Sequence, residues 1–121
     1  MTFVPNHIHM VCSILLQKPT RFTENRIRAW LEHLVEEIDM NVLSGPHVAT
    51  CYDAGNEGIT GIALLTTSHV SIHIWDRATK PYAQFDLYSC KEFDPQVVLE
   101  ILQELDVVEI HYVTLDRNFA S

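Results

Sequence analysis

The spacing of hydrophobic residues along the chain predicts two amphipathic helices. After Thr23, a residue typical of a helix N-cap, apolar side chains recur every three or four positions until about Asn41. Asp94 and Pro95 have the composition of an N-cap and first helical residue, so a second helix is expected to begin there. The apolar stripes of the two helices are Ile27, Trp30, Leu31, Leu34, Val35 and Ile38, and Val98, Ile101, Leu102 and Leu105.

Segments rich in β-branched and apolar residues predict strands between and around these helices. They cover residues 7–16, 48–52, 59–66, 69–75, 82–90 and 107–114. Ser44, Gly45 and Pro46 form a breaker after the first helix, residues 53–58 have the composition of a turn, and residues 76–81 form a charged turn.

This order of elements predicts one α+β domain, since 121 residues are too few for two cores of ordinary size. Each helix has a single apolar face. The economical arrangement is a two-layer sandwich, in which an antiparallel β-sheet carries both helices on one face.

The other face of this sheet is unusual. In residues 69–75 and 82–90 the aliphatic positions alternate with His, Ser, Asp, Tyr, Trp and Cys. Such a face is too aromatic for plain exposure and too polar for a core, so it predicts a functional site, a subunit interface, or both.

Charge and cysteine content narrow the function. The net charge of −8 and the scattered Lys and Arg exclude a clustered basic face for nucleic acid, whereas a cationic small molecule is tolerated. Cys12, Cys51 and Cys90 form no CxxC pair and are expected to be free thiols. The apolar stretch 9–16 is too short to cross a membrane and lacks signal-peptide features, so a cytoplasmic protein is expected.

Two sequence blocks carry a family resemblance. Residues 58–75 read GITGIALLTTSHVSIHIW, and residues 82–90 read YAQFDLYSC. They resemble the small prokaryotic S-adenosylmethionine decarboxylase proenzymes, in which an apolar strand leads into Glu-Ser-His and then His-Thr-Trp or His-Thr-Tyr, followed by a Tyr-Ala-x-x-Asp-x-Tyr/Phe-Thr-Cys strand. With the element order included, the resemblance extends over most of the chain.

The resemblance implies self-cleavage between Thr67 and Ser68 into chains 1–67 and 68–121. A serine supplies both the attacking hydroxyl and a β-leaving group, so that the new terminus becomes a pyruvoyl group, the cofactor. His73 matches the family's processing histidine, which removes the α-proton, and Thr60 matches a hydroxyl residue that helps to polarise the ester intermediate.

The resemblance also implies the reaction. The pyruvoyl carbonyl forms a Schiff base with S-adenosylmethionine, and Cys90 matches the residue that returns a proton to the substrate α-carbon after decarboxylation. The product is the aminopropyl donor of polyamine synthesis. The family pattern further implies a homodimer in which the polar sheet faces meet and the sites form between subunits.

Departures from the family pattern leave two alternatives open. Thr67 replaces the family's glutamate, and the loop before Gly58 lacks the aromatic residue that stacks on adenine. The same chemistry on arginine or ornithine is therefore one alternative. An unprocessed, non-catalytic homologue that binds a ligand or pairs with an active subunit is the other.

The histidines raise the question of a metal. His7 and His9, or His69 and His73, share predicted strand faces and have the chemistry to bind zinc or nickel. No cysteine or carboxylate falls at a recognised ligand spacing with them. The sequence therefore predicts no metal site.

Overall fold

A computed structural model of the protein describes residues 2–18 and 21–119. Within them lie six strands and two α-helices, and a short 3-10 turn, Gln103–Leu105, follows the second helix. In chain order the elements are β1 (Ile8–Leu16), α1 (Glu24–Glu37), β2 (Val42–Cys51), β3 (Gly58–Leu65), β4 (Ser68–Trp75), β5 (Tyr82–Ser89), α2 (Pro95–Leu102) and β6 (Val107–Asp116).

The six strands form one sheet in the order β2-β3-β4-β5-β1-β6, and every neighbouring pair is antiparallel. The predicted α+β class and antiparallel sheet are thus confirmed. β1 lies between β5 and β6, so the two halves of the chain are joined within the sheet. This insertion brings the first strand beside the second half of the chain.

Both helices pack on one face of the sheet, as the alternation predicts. The aliphatic residues of β4 and β5 are buried under them, with Val70, Ile72 and Leu87 fully covered. The indole Nε1 of Trp30 on α1 donates a hydrogen bond of 3.0 Å to the carbonyl of Ile101 on α2, which ties the helices together. We call the uncovered side, which carries the polar alternate residues, the open face.

The predicted helix starts are also confirmed. The Thr23 hydroxyl accepts a hydrogen bond of 3.1 Å from the backbone N–H of Arg26, and the Asp94 carboxylate accepts one of 2.9 Å from that of Gln96. These caps satisfy amides that have no partner within the helix.

The prediction for β2 was wrong at its first half. The strand spans Val42–Cys51, whereas the sequence predicts a strand over residues 48–52 alone and a breaker at Ser44, Gly45 and Pro46. The pairing with β3 shifts register on both sides of Ser44. A proline is tolerated here because β2 is an edge strand. On the side of β2 that has no neighbouring strand, a missing N–H removes no hydrogen bond of the sheet. Among the helices in the described residues, none is both long and apolar enough to span a bilayer.

Candidate active site

Ser68 begins β4 directly after a two-residue turn. It pairs with Leu65 across the β3–β4 hairpin, so Thr66 and Thr67 alone make the connection. The Ser68 side chain is buried, and its Oγ accepts a hydrogen bond of 2.9 Å from the backbone N–H of Cys90. This donor fixes the hydroxyl next to the carbonyl of Thr67 and would stabilise negative charge on the oxygen.

Thr67 holds a strained backbone. Its φ is +51°, in the left-handed region that β-branched residues rarely adopt. The second central residue of a turn with positive φ is normally glycine or asparagine. Strain of this kind is concentrated at functional sites. Here it lies at the residue whose carbonyl carbon would be attacked by Ser68.

Cys90 follows the end of β5 and faces the same turn. Its Sγ lies 3.0 Å from the Thr67 hydroxyl and 3.6 Å from the carbonyl oxygen of Thr66. Burial works to raise the pKa of this thiol, but the hydroxyls of Ser68 and Thr67, together with the charge of Lys91, lower the pKa below its ordinary value. The structure thus gathers Thr67, Ser68 and Cys90 into one group.

A cavity of about 240 Å³ opens beside this group. It lies between the turn and the end of α1, and it is smaller than the roughly 300–1,000 Å³ of pockets that enclose drug-sized ligands. One copy of the chain therefore offers only part of a pocket for a molecule as large as S-adenosylmethionine. The lining residues are Phe3, Asp39, Met40, Asn41, Leu65, Thr66, Thr67, Cys90 and Lys91.

Thr60 and His73 form a second, separate group. They are direct cross-strand partners on β3 and β4, and the Thr60 hydroxyl lies 3.0 Å from His73 Nδ1. His73 is exposed on the open face. Ser68 alternates with it along β4 and so lies on the helix-covered face, with the buried residues Val70 and Ile72. Five residues of strand separate the two, about 16 Å at roughly 3.3 Å per residue.

Within one chain, His73 therefore does not reach the predicted cleavage site. Nor does any other imidazole or carboxylate hydrogen-bond to Ser68 in the part of the chain that the structure describes. The sequence placed Cys90 on the same face as His73. The strand ends at Ser89, however, and Cys90 turns toward the β3–β4 connection.

Sequence reasoning missed two features of the site. The first is Lys91, which lies beside Cys90 and lines the cavity. A lysine next to a candidate catalytic cysteine in the sequence could have indicated that its charge lowers the pKa of the thiol. The second is a cluster of His9, His69 and Asp86 on the open face. It was missed because it depends on β1 lying next to β5, which the order of elements does not reveal.

Comparisons with known proteins agree with this geometry. The family model described as S-adenosylmethionine decarboxylase matches residues 16–118. An S-adenosylmethionine decarboxylase proenzyme 2 of Bacillus cereus is 35% identical over 93 residues, which cover 74% of this chain and 72% of that protein.

Two further similarities support more limited conclusions, one because it covers a short segment and the other because its sequence identity is low. A proenzyme of the same name from Thermomicrobium roseum is 40% identical over 48 residues, a segment that covers 39% of this chain and only 40% of that relative. The crystal structure of the adenosylmethionine decarboxylase from Aquifex aeolicus superimposes with a TM-score of 0.77 at 23% identity, over 97% of this chain and 94% of that one. At that identity the match establishes the fold.

Proposed function

Since the chain belongs to the S-adenosylmethionine decarboxylase family, we propose that it is a self-processing, pyruvoyl-dependent decarboxylase that converts S-adenosylmethionine to decarboxylated S-adenosylmethionine for polyamine synthesis. One observation carries the proposal. The Ser68 hydroxyl is held by the N–H of Cys90, immediately after a strained residue and beside a thiol of lowered pKa.

The first step is an acyl shift at the strained turn. Ser68 Oγ attacks the carbonyl carbon of Thr67, the peptide nitrogen leaves with a proton, and an ester replaces the amide. The N–H of Cys90 stabilises the attacking oxygen. Leaving the left-handed conformation of Thr67 releases strain as the amide breaks, which lowers the barrier to the shift.

The second step needs a base. Removal of the Ser68 α-proton expels the Thr67 carboxylate by β-elimination, and the resulting dehydroalanine takes up water and loses ammonia to give the pyruvoyl group. His73 is our candidate for this base because an imidazole can accept a proton and because His73 matches the family's processing histidine. Thr60 hydrogen-bonds to its Nδ1 and orients the ring.

We infer that His73 acts on the Ser68 of a second copy. About 16 Å of strand separates the two residues within one chain. The open face also exposes apolar side chains, among them Ile62, Leu64 and Leu115, which a partner sheet would cover. A two-fold pairing of open faces brings His73 and Thr60 of one copy toward the turn of the other, and completes the small cavity.

The residues around Ser68 suit the cofactor it would become, since the new group stays next to a thiol and beside a cavity. Once formed, a pyruvoyl group supplies a carbonyl that binds the substrate amine and withdraws electrons as carbon dioxide leaves. Cys90 then donates a proton to the substrate α-carbon. The charge of Lys91, one of the groups that lower the pKa of this thiol, is retained after processing and favours that donation.

Intact mass spectrometry of the purified protein tests the processing. We expect two fragments, 1–67 and a pyruvoyl-blocked 68–121, and a single full-length chain for Ser68→Ala. Release of carbon dioxide from labelled S-adenosylmethionine, arginine and ornithine then identifies the substrate. A stable uncleaved wild-type chain would instead favour the non-catalytic homologue, and release from arginine or ornithine alone would overturn the assigned substrate.

Co-expression of two inactive variants tests cleavage between copies. Ser68→Ala and His73→Ala chains carrying different tags should each remain intact when expressed alone. In the mixed dimer the first variant supplies His73 and the second supplies Ser68, so the His73→Ala chain should be cleaved. Absence of cleavage in a mixture that forms mixed dimers would refute the shared site.

A further inference from the structure

Three neighbouring strands direct ligand-type side chains to one point on the open face. His9 on β1 and His69 on β4 flank Asp86 on β5, because β5 lies between the other two strands. His9 Nε2 hydrogen-bonds to one carboxylate oxygen of Asp86, and His69 Nε2 lies 3.6 Å from the other. Three ligand atoms, one from each residue, lie within 4.8 Å of one another.

The surrounding residues hold these side chains in place. Both histidines are opposite Tyr88 in the sheet register, and their rings lie 5.9 Å and 5.8 Å from the Tyr88 ring. The Tyr88 hydroxyl is in turn 2.5 Å from His7 Nδ1. The His9 side chain is 16% exposed to solvent, and those of Asp86 and His69 are 38% and 39% exposed. In a single copy of the chain the cluster is therefore ordered yet open to an incoming ion.

We propose that His9, His69 and Asp86 bind a divalent transition-metal ion of the Zn²⁺, Ni²⁺ or Co²⁺ type. Two imidazoles and one carboxylate are ligands that these ions favour, and they leave a position for water. Bonds of about 2.0–2.2 Å to one ion require small side-chain rotations, in which the hydrogen bond between His9 and Asp86 opens to admit the ion and His69 moves in. The site needs neither cleavage nor substrate, but it lies on the open face, where His69 pairs with Leu64 and His9 with Leu115, so the dimer proposed above would enclose the ion between its two sheets.

The contact between Arg117 and His9 must also change when the ion binds. Arg117 Nη1 lies 3.3 Å from His9 Nδ1, so in the unliganded protein that nitrogen accepts and Nε2 carries the proton toward Asp86. Metal on Nε2 moves the proton to Nδ1, and Arg117 turns away. This movement is cheap because Arg117 is an exposed residue after the end of β6. The net charge of −8 favours the incoming cation.

Equilibrium dialysis with elemental analysis tests the site on full-length protein first stripped with a chelator. We expect one Zn²⁺ or Co²⁺ per chain, visible absorption bands from the Co²⁺ protein that report nitrogen and oxygen ligands, and a rise in melting temperature with ion concentration. His69→Gln and Asp86→Asn should each weaken binding at least tenfold, a loss of about 1.4 kcal/mol.

The matched control is His111→Gln. His111 also pairs with a carboxylate, that of Glu109 at 2.8 Å, but without a second histidine, and its removal should leave the affinity unchanged. Both His69→Gln and Asp86→Asn keep all three thiols, so wild-type affinity in both variants would place the ion elsewhere and overturn the proposal. So would failure of the wild-type chain to retain a stoichiometric ion. Circular dichroism confirms that each variant is folded.

Discussion

At the scale of single residues, Thr67 contributes most to the proposed chemistry. The resemblance identifies this position as a departure from the family, but its backbone conformation is visible only in the structure. A φ of +51° in a β-branched residue costs roughly 1–3 kcal/mol. The same residue places a hydroxyl against the Cys90 thiol. Thr67 thus links the cleavage step to the later proton donation.

Relief of this strain should slow self-cleavage. Asparagine adopts the left-handed region readily, so Thr67→Asn should stabilise the uncleavable Ser68→Ala protein by about 1 kcal/mol. In the cleavable chain the same change should slow fragment formation by about fivefold, since that strain no longer offsets the barrier. Urea unfolding and timed electrophoresis measure the two effects.

The control for this prediction is Thr66→Asn, one residue earlier in the same turn. Thr66 is outside the positive-φ residues, so this change should alter neither stability nor cleavage rate. Equal cleavage rates for Thr67→Asn and the wild type, with no gain in stability, would contradict the role of strain.

Cys90 should titrate below an ordinary thiol. Neighbouring hydroxyls and Lys91 favour the thiolate, so its alkylation by iodoacetamide in the uncleaved His73→Ala chain, which keeps the Ser68 hydroxyl, should reach half-maximal rate below pH 9.0, the value of an unperturbed thiol. Lys91→Met removes a positive charge that favours the thiolate and should move this midpoint upward. Because the thiol is the proton donor, decarboxylation should be lost over the same pH range as the thiolate forms.

Two other residues act as controls in that experiment. Burial raises the pKa of Cys12 to about 12, so this thiol should remain unmodified across the range. Lys80→Met removes a charge from the distant 76–81 turn and should leave the Cys90 midpoint unchanged. A midpoint at or above 9.0 in the uncleaved His73→Ala chain would show that burial dominates at Cys90.

At the scale of elements, the spacing of hydrophobic residues predicts the helices and most strands. It does not predict which strands pair in the sheet. The helices and most strands follow from spacing, and their caps follow from Thr23 and Asp94. The start of β2 does not follow from spacing. An edge strand tolerates Pro46 because its pairing with β3 shifts register there. The position of β1 between β5 and β6 does not follow from spacing either, since any strand with one apolar face could occupy that place.

The first residue of β3 shows how closely its neighbour approaches. A Cβ added at Gly58 would lie 2.1 Å from the carbonyl oxygen of Ile74, a backbone atom of β4. Gly58→Ala must therefore shift a strand, and we expect it to lower the free energy of unfolding by about 3 kcal/mol. Urea unfolding in the Ser68→Ala background measures this without interference from cleavage.

Gly61 provides the comparison on the same strand. A Cβ there would meet side-chain atoms, Leu31 Cδ1 at 2.8 Å and Ile27 Cγ2 at 3.0 Å, and a side chain shifts more readily than the backbone of a strand. Gly61→Ala should therefore cost clearly less than Gly58→Ala. The reverse order would show that the close approach of β3 and β4 at Gly58 is not rigid.

At the scale of the whole molecule, the open face explains why the predicted site residues do not all meet. The sequence indicated that this face is a site or an interface, because its alternate positions are polar and aromatic. It could not show that Ser68 and His73 lie about 16 Å apart on opposite sides of one strand. That follows from parity and length once β4 is seen to begin at Ser68. The second copy that we propose would supply His73 to this site.

A charge on the open face should therefore separate the dimer that we propose. Leu64 is 44% exposed on this face, and Leu64→Asp places a carboxylate where the partner sheet would pack. We expect a monomer by sedimentation, together with loss of fragment formation, because His73 of the partner no longer reaches Ser68.

Val113→Asp, also on the open face, should weaken the dimer in the same way. Tyr112 is 43% exposed but pairs with the buried Cys12 and so faces the helix side, which makes Tyr112→Asp the matched control. If both open-face variants remain dimeric and are cleaved normally, the open faces do not meet and His73 must reach Ser68 by another arrangement.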